Sequence, residues 1–205
     1  MEKLRGQQYN MNVYDFDGTV YHGDSSVDFW AFCIKRHPSL VKTIPQVFVS
    51  GVKYKFFHGD LEEFKSAFFC FLSLLPDVKN EVVAFWDKHE NKIYGWYMRQ
   101  RQDDDVIISA SPEFLLQECC ARLGAKLIGT RIDKRTGQLI GRNCKGEEKV
   151  RRFREIYPDG VIQSFYSDSH SDIPMAEQAR QSFFIKSGKA LPWNVYQTDN
   201  KRNSL

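Results

Sequence analysis

Near its start the chain reads Asn10-Met11-Asn12-Val13-Tyr14-Asp15-Phe16-Asp17-Gly18-Thr19, a short apolar run that ends abruptly in two acids and a glycine. An apolar run of this length, closed by polar residues and Gly, is typical of a strand buried in a parallel sheet. The segment from Asn10 to Phe16 is therefore predicted to form the first strand, with carboxylates at its carboxyl end.

The two acids of this stretch, Asp15 and Asp17, are separated by one residue, so both can point toward one cleft. Gly18 permits a sharp turn, and Thr19 offers a hydroxyl and a backbone N–H close by. Two carboxylates this close repel each other, and a divalent cation between them would offset the repulsion. The alternative is a surface turn with incidental acids, since two acids at this spacing are common by chance.

Composition narrows the class of protein. The chain has 205 residues, 42% of them apolar, and a net charge of +3, which suits one domain with a modest insertion. Because the basic charge is not concentrated, no nucleic-acid partner is expected. The five cysteines form no CxxC pattern and indicate reduced thiols. No signal peptide or transmembrane segment is visible, so we expect a cytoplasmic monomer or weak dimer.

Between residues 23 and 100 the pattern is helical and rich in aromatic residues. Apolar residues recur there at helical spacing, and Pro and capping residues separate the segments. The predicted helices begin at Ser25 or Ser26 as N-cap, at Pro45, and at Asp60 with Glu63 as capping box, and the last runs from Asp77 to about Arg99.

Beyond residue 103 short apolar strands alternate with amphipathic helices. Strands are predicted at 106–108, 127–132, 161–167 and 182–185, and helices at 111–124, 146–157 and 173–181. This alternation predicts an α/β fold with a doubly wound, mainly parallel Rossmann-like sheet. We expect residues 1–22 and 101–205 to form a discontinuous catalytic core, and residues 23–100 an inserted helical cap domain.

Two further elements at predicted strand ends and helix starts could bind an anion. Ser109 follows the strand at 106–108 and could present its hydroxyl and neighbouring amides to a phosphoryl oxygen. Ser111 is interpreted as the N-cap of the next helix. Lys145 and Lys149 are alternative cations, and Lys149 is favoured because Phe153 and Ile156 share its helix face. The nearby arginines, Arg151, Arg152 and Arg154, are interpreted as solvated.

The last element is Ser167-Asp168-Ser169-His170-Ser171-Asp172, after the strand at 161–167. Asp168 at the strand end is placed to bind Mg²⁺ opposite Asp15. Asp172 is expected to be the second acid of this site, with a plain helix N-cap as the alternative. Acid, hydroxyl, lysine and acid thus follow in order along the chain, and this conjunction is more specific than any one member.

These motifs resemble those of the haloacid dehalogenase superfamily of hydrolases. Asp15 to Thr19 matches its first motif in full, Ser109 its second, Lys149 its third, and Asp168 with Asp172 its fourth. The helical insert resembles the class I cap of the phosphoserine phosphatase-like IB group. The resemblance extends to about Trp193.

Within that group, the segments Asn143 to Val150 and Tyr166 to Ser169 resemble a branch that includes phosphatidylglycerophosphatase C. Its shared lysine lies in a C-x-G-x-x-K pattern, which again favours Lys149. In one departure, Ser167-Asp168-Ser169 stands where phosphoserine phosphatases usually carry Gly-Asp-Gly. This departure leaves the metal-binding aspartate in place and weakens phosphoserine as the substrate.

The resemblance implies a Mg²⁺-dependent phosphatase that works through an aspartyl-phosphate, with Asp15 as nucleophile and Asp17 as general acid and base. The implied Mg²⁺ ligands are Asp15, Asp17 through its backbone carbonyl, and Asp168, with Asp172 nearby. The implied phosphate-binding residues are Ser109, Ala110, Gly18, Thr19 and Lys149, or Lys145 in its place.

The expected substrate is a small phosphorylated metabolite or a phospholipid head group. The apolar segment from Val47 to Phe57 carries Lys53 and Lys55; it is interpreted as a packed cap helix, with contact to a membrane surface as the alternative. Two other functions stay open: phosphoryl transfer to an acceptor other than water, and a catalytically silent binding module.

Overall fold

The computed structural model describes residues 10–57 and 59–194. The described chain forms one six-stranded sheet. Its strands are β1 (Asn10–Tyr14), β2 (Val106–Pro112), β3 (Lys126–Thr130), β4 (Val161–Ser167), β5 (Ala179–Lys186) and β6 (Lys189–Pro192).

The strands lie in the order β3-β2-β1-β4-β5-β6. All neighbouring pairs are parallel except β5 with β6, which are antiparallel. The chain therefore builds the sheet outward from β1 on one side and then crosses to the other side of β1. Such a reversal opens a crevice at the carboxyl ends of the strands that flank it. The predicted mainly parallel, doubly wound sheet is confirmed.

Helices cover both faces of the sheet. The insertion between β1 and β2 contains α1 (Ser25–Arg36), α2 (Ile44–Phe56), α3 (Leu61–Phe68), α4 (Val78–His89) and α5 (Gly95–Gln100). The rest of the chain contributes α6 (Glu113–Leu123), α7 (Glu147–Ile156) and α8 (Ile173–Ala176). Short 3-10 helices lie at Pro38–Thr43, Phe69–Leu74, Glu90–Lys92 and His170–Asp172.

Two hydrophobic clusters follow from the alternation of side chains along the central strands. Tyr14 and Ile107 face the first cluster, which joins the sheet to the helical insertion and α6. Val13 and Ile108 face the second cluster, which contains residues of α7 and α8. Because neighbouring residues of a strand point to opposite faces, each strand helps to fix both layers.

The aromatic residues of the insertion mostly build the first cluster. Phe29, Phe71, Phe85 and Trp86 are fully buried there, and the Trp86 indole donates to the Leu115 carbonyl oxygen at 2.7 Å. Most aromatic residues of the insertion are therefore core, whereas Phe56 and Phe57 are exposed. Within residues 10–57 and 59–194, no helix is long and apolar enough to cross a membrane.

The predicted helix from Asp77 to Arg99 is wrong as one continuous element. α4 ends at His89, and Ile93 lies in extended chain, where it forms an antiparallel bridge with Tyr21. The Tyr94 backbone N–H donates to the Val20 carbonyl oxygen at 2.9 Å. Pairing with the loop after β1 thus replaces the helical bonds that local sequence favours.

The predicted helix at 173–181 is also too long. α8 ends at Ala176 because the chain from Ala179 onward pairs in parallel with β4. β6 was not predicted. The N-cap of α1 is Asp24, whose carboxylate accepts from the Val27 N–H at 3.0 Å, so the choice of Ser25 or Ser26 was wrong.

Candidate active site

Three neighbouring strands bring the predicted acids and the serine to one edge of the sheet. Asp15 follows β1, Asp168 follows β4, and Ser109 lies in the middle of β2, directly after its apolar residues. β1 pairs in parallel with both β2 and β4, so Asp15 stands between the other two. The parallel register therefore places residues far apart in sequence around one crevice.

Lys149 reaches this crevice from the first turn of α7. Its side chain is 2% exposed, and Nζ lies 2.9 Å from Asp15 Oδ1 and 2.6 Å from Asp172 Oδ2. The Ser167 hydroxyl also donates to Asp172 Oδ2, at 2.8 Å. Lys145, the predicted alternative, is exposed and lies at the rim of the same cavity. The geometry therefore favours Lys149 as the cation beside Asp15.

The placement of α7 depends on more than the apolar face that the sequence indicates. Phe153 is fully buried as predicted, but Ile156 is exposed because it lies at the last residue of the helix. Arg152, interpreted as solvated, is buried; it donates to the Arg142 carbonyl oxygen at 2.6 Å and to the Gly129 carbonyl oxygen. These two bonds tie the helix to β3 and to the preceding loop.

The Lys149 cluster contains more negative than positive charge. Burial raises the pKa of Asp15 to about 7; Lys149 acts against this shift, while Asp172 and Asp168 add to it. Burial acts to lower the pKa of Lys149, but the two carboxylates that it contacts outweigh burial and raise it. The lysine is therefore held as a cation, and its single positive charge does not balance the negative charges of the carboxylates around it.

Asp17 is held by different groups. Its Oδ1 accepts from the Ser25 backbone N–H at 2.7 Å, and its Oδ2 accepts from the Ser111 hydroxyl. Burial and the nearby Asp24 carboxylate raise the pKa of Asp17 to about 6, against the lowering effect of these hydrogen bonds. Since Ser25 begins α1, the second acid is positioned by the helical insertion.

Ser111 is a site residue rather than the predicted N-cap. α6 begins at Glu113, with Pro112 as N-cap, because β2 continues through Pro112 and pairs there with Thr130. Ser111 and Ala110 therefore lie in extended chain and line the cavity with Ser109. The same change removes the expected helix N-terminus from beside Ser109.

Gly18 and Thr19 position Asp168. Gly18 has a φ of +72°, and a Cβ at this residue would lie 2.0 Å from Asp168 Oδ2, so only glycine leaves room for that carboxylate. The buried Thr19 hydroxyl accepts from the Asp168 backbone N–H at 3.0 Å. Neither residue is among those that line the cavity.

The carboxylate oxygens of the site suit a hard divalent cation, although they are not arranged as a complete set of metal ligands. Among residues 10–57 and 59–194, no group of three His, Cys, Asp or Glu side chains is arranged to hold a metal ion. Asp172 Oδ1 is nevertheless buried without a hydrogen-bond partner, which is costly for a carboxylate oxygen. Asp15 and Asp168 add carboxylate oxygens of the kind that Mg²⁺ prefers. Asp17, in contrast, has both side-chain oxygens engaged by protein donors.

Lys65 is a site residue that sequence reasoning missed. From α3 it donates to the Ala110 carbonyl oxygen at 2.6 Å and to Asn143 Oδ1 at 2.7 Å. Asn143 Oδ1 also accepts from the Thr130 hydroxyl at 2.9 Å. Burial lowers the pKa of Lys65 to about 8. No sequence signal marked this lysine, because a Lys beside Glu residues on a short helix is usually solvated.

The cavity between insertion and sheet has a volume of about 320 Å³. Its sheet side is polar and carries Asp15, Asp17, Ser109 and Lys149. The insertion contributes apolar and charged side chains from α1, α3 and the adjoining turns; they include Asp24, Val27, Leu61, Phe64, Lys65 and Phe68. The cavity is therefore small, and at its base lie the carboxylates of Asp15 and Asp17, in different environments, and the buried ammonium group of Lys149.

Comparison with known families agrees with this geometry. Residues 13–177 match the family described as haloacid dehalogenase-like hydrolase, and the match covers most of the chain. The protein therefore belongs to the haloacid dehalogenase-like hydrolase family.

Among individual proteins, the chain is 31% identical over 198 residues to protein CicA of Caulobacter vibrioides (strain NA1000 / CB15N), which covers 83% of both chains. A Bordetella pertussis Tohama I protein of unknown function superimposes with a TM-score of 0.73 at 16% identity, over 96% of this chain and 97% of that one. A phospho-aspartyl intermediate analogue of phosphoserine phosphatase gives a TM-score of 0.53 at 16% identity, over 87% of each chain. These structural likenesses establish the Rossmann-like fold.

Proposed function

We propose that this protein is a Mg²⁺-dependent phosphatase that hydrolyses a phosphomonoester through an aspartyl-phosphate formed on Asp15. The contact of 2.9 Å between Lys149 Nζ and Asp15 Oδ1 carries the proposal. This contact gives Asp15 a different environment from Asp17: Asp15 lies beside a buried cation, whereas Asp17 is held by hydrogen-bond donors. Two carboxylates in different environments can take different roles in one reaction.

In the first step an Asp15 oxygen attacks phosphorus, and the bond from phosphorus to the ester oxygen breaks. Asp17 donates a proton to that leaving oxygen, so the product leaves as an alcohol. The pKa of Asp17, raised to about 6 mainly by burial, suits a group that must carry a proton near neutral pH. The Ser25 N–H and the Ser111 hydroxyl hold its carboxyl group in place.

In the second step Asp17 accepts a proton from water, and the resulting hydroxide attacks phosphorus. The bond from phosphorus to Asp15 breaks and releases inorganic phosphate. Two-step nucleophilic catalysis of this kind needs one group that serves first as acid and then as base.

Lys149 and the Ser109 hydroxyl would stabilise negative charge on the transferred phosphoryl group. Lys149 is held at the base of the cavity by Asp15 and Asp172, and a positioned cation there offsets charge as it develops. The Mg²⁺ ligands would be Asp15, Asp168 and the Asp17 backbone carbonyl, with Asp172 close by. When bound, the ion would shield the carboxylate nucleophile from the negative phosphoryl group.

Residues 23–100 would act as a cap over a core of residues 1–22 and 101–205. The cap supplies one side of the cavity, including Lys65 and Phe64, and so would select the substrate. A volume of about 320 Å³ fits a small phosphorylated metabolite or a phospholipid head group. Likeness to the phosphatidylglycerophosphatase C branch stays a prediction, which a panel of both compound classes would test.

The nucleophile is tested by Asp15→Asn with p-nitrophenyl phosphate as substrate. We expect turnover to fall at least about a thousandfold, since a nucleophile contributes an effect of this size or larger. Asp105→Asn is a matched control, because Asp105 is fully buried just before the amino end of β2. Comparable activity in wild type and Asp15→Asn would overturn the assignment.

The same assay separates the remaining alternatives. Removal of Mg²⁺ by EDTA should abolish turnover, and added Mg²⁺ should restore it. Equal yields of p-nitrophenol and inorganic phosphate indicate hydrolysis, whereas a phosphate deficit in the presence of an added alcohol indicates transfer. No product with any phosphate ester tested would favour a silent binding module.

A further inference from the structure

One segment of the insertion exposes an unusual amount of apolar surface. Phe48, Val49, Phe56 and Phe57 are 69%, 65%, 67% and 74% exposed. Within the described chain, no other large hydrophobic residue exceeds 60% exposure. α2 itself, which carries the first three, contains no buried residue. Exposed apolar surface of this extent commonly marks a site of interaction.

The most exposed hydrophobic residues of α2 lie on one side of the helix, since successive helical residues turn by about 100°. Tyr54 lies on the inner side, where its ring stacks on Phe64 of α3 at 5.5 Å between centroids. Phe48, Val49 and Phe56 fall within about 100° of one another around the helix axis, and each lies more than about 100° from Tyr54. We define the outer face of α2 by Phe48, Val49 and Phe56, together with Phe57 directly after the helix.

The charged residues of the segment that carries this face are all lysines. No Asp or Glu occurs between Asp28 and Asp60, whereas Lys42, Lys53 and Lys55 fall within or beside the face. Lys53 is paired with Glu63 at 2.8 Å, which leaves Lys42 and Lys55 to set the local charge. The Lys55 ammonium lies 5.7 Å from the Phe56 ring centroid, so a cation and an exposed aromatic ring are adjacent on the surface.

Apolar and aromatic side chains flanked by lysines are typical of a helix that lies in the interface of an anionic bilayer. Lysine stems can extend along apolar surface while their ammonium groups reach lipid phosphates. A second copy of this chain is a poorer partner for the outer face. In a symmetric dimer the same surface meets itself, and the lysines would then face one another.

We propose that the outer face of α2 docks the protein on the surface of an anionic lipid bilayer, without spanning it. The face is also linked to the cavity, because the inner side of α2 packs on Phe64 and Phe64 lines the cavity. In the docked protein, only the side chains of α2 would then separate Phe64, in the wall of the cavity, from the lipid. The inference concerns the surface alone and does not depend on the proposed chemistry.

The apolar part is tested by flotation with vesicles of phosphatidylglycerol and phosphatidylcholine. We expect wild type to float with these vesicles and the double variant Phe48→Gln/Phe56→Gln to bind at least about tenfold more weakly, since each Phe loses its burial in lipid. Leu74→Gln/Ile156→Gln is the matched control, because these residues are exposed elsewhere. Far-UV circular dichroism verifies that each variant is folded.

The charge requirement is tested by Lys42→Gln/Lys55→Gln, with Lys79→Gln as the exposed control. Binding should weaken by roughly fivefold per lysine and fall with added salt, and vesicles of pure phosphatidylcholine should bind poorly. Three results would overturn the proposal: wild type that does not float, Phe variants that float as well as wild type, or a dimer in solution that Phe48→Gln/Phe56→Gln dissociates while vesicles bind nothing.

Discussion

α7 and α2 both carry lysines, yet these lysines lie in opposite environments. Lys149 of α7 is 2% exposed and contacts two carboxylates that follow separate parts of the sheet. Lys53 of α2 is 56% exposed and pairs with a neighbouring helix on the surface. The two helices differ in composition, since α7 has seven charged residues among ten and α2 has two among thirteen. Their positions relative to the sheet decide which lysine meets carboxylates.

The comparison shows what converts a lysine into part of a site. The carboxyl ends of β1 and β4 supply acids that cannot all be ionised in a buried place without a cation. α7 packs on the sheet so that Lys149 meets them. α2 packs mainly on α3 and on the 3-10 helix that precedes it, and Lys53 and Lys55 stay exposed.

Replacement of Lys149 would affect the protein most. Lys149→Met leaves Asp15 and Asp172 buried without their cation, and we expect turnover on p-nitrophenyl phosphate to fall at least about a hundredfold. Stability should also fall, by about 3 kcal/mol, because one partner of a buried ion pair is removed. Urea unfolding and steady-state kinetics measure the two effects.

Lys53→Met is the matched control for Lys149→Met, with the same substitution on the exposed helix. Its turnover should stay within about twofold of wild type, as expected for a surface change. Lys149→Arg keeps the charge in a different shape and should retain more stability than activity. Equal kinetics for Lys149→Met and wild type would show that Lys149 takes no part in the reaction.

The location of the candidate site was predictable because its motif residues follow short apolar runs typical of parallel strands. Asp15, Ser109 and Asp168 lie far apart in sequence, but each follows or ends a short apolar run. The rule that parallel strands share their carboxyl edge then brings them together. The sequence already favours Lys149 over Lys145, and the packing of α7 places Lys149 beside Asp15 while Lys145 stays exposed.

The contacts from the insertion could not be predicted in the same way. Lys65 and Ser25 reach the site through the tertiary placement of α3 and α1, and neither local pattern differs from an ordinary helix. Ser111 was misassigned because Ser before Pro and Glu favours an N-cap, whereas β2 pairing extends the strand past it. Long-range pairing likewise ended the predicted helices at 77–99 and 173–181.

Lys65 is intermediate between the two lysines compared above, since it is half-buried and belongs to the insertion. Burial lowers its pKa to about 8 from an ordinary value of 10.5. Between these pH values the unfolded chain binds more protons than the folded chain, so stability rises with pH. Lys65→Gln should lose this rise, which urea midpoints measured from pH 7 to pH 11 would show.

The comparison with wild type isolates Lys65 from the other groups that titrate in this range. Lys79→Gln, an exposed lysine on α4, should give a curve parallel to wild type. If the curves of Lys65→Gln and wild type were also parallel, the lysine would not be desolvated in solution, and the contrast between buried and exposed lysines would reduce to Lys149 alone.

The smallest effect is expected at the pair of Lys53 and Glu63, whose side chains are 56% and 60% exposed. Lys53→Gln should change the free energy of unfolding by less than about 1 kcal/mol, because water and salt screen an exposed pair. The small difference should vanish at high ionic strength. A loss above about 2 kcal/mol that persists in high salt would mean that α2 is held by this contact rather than by the packing of Tyr54 on Phe64, and the division between a site lysine and a surface lysine would then fail.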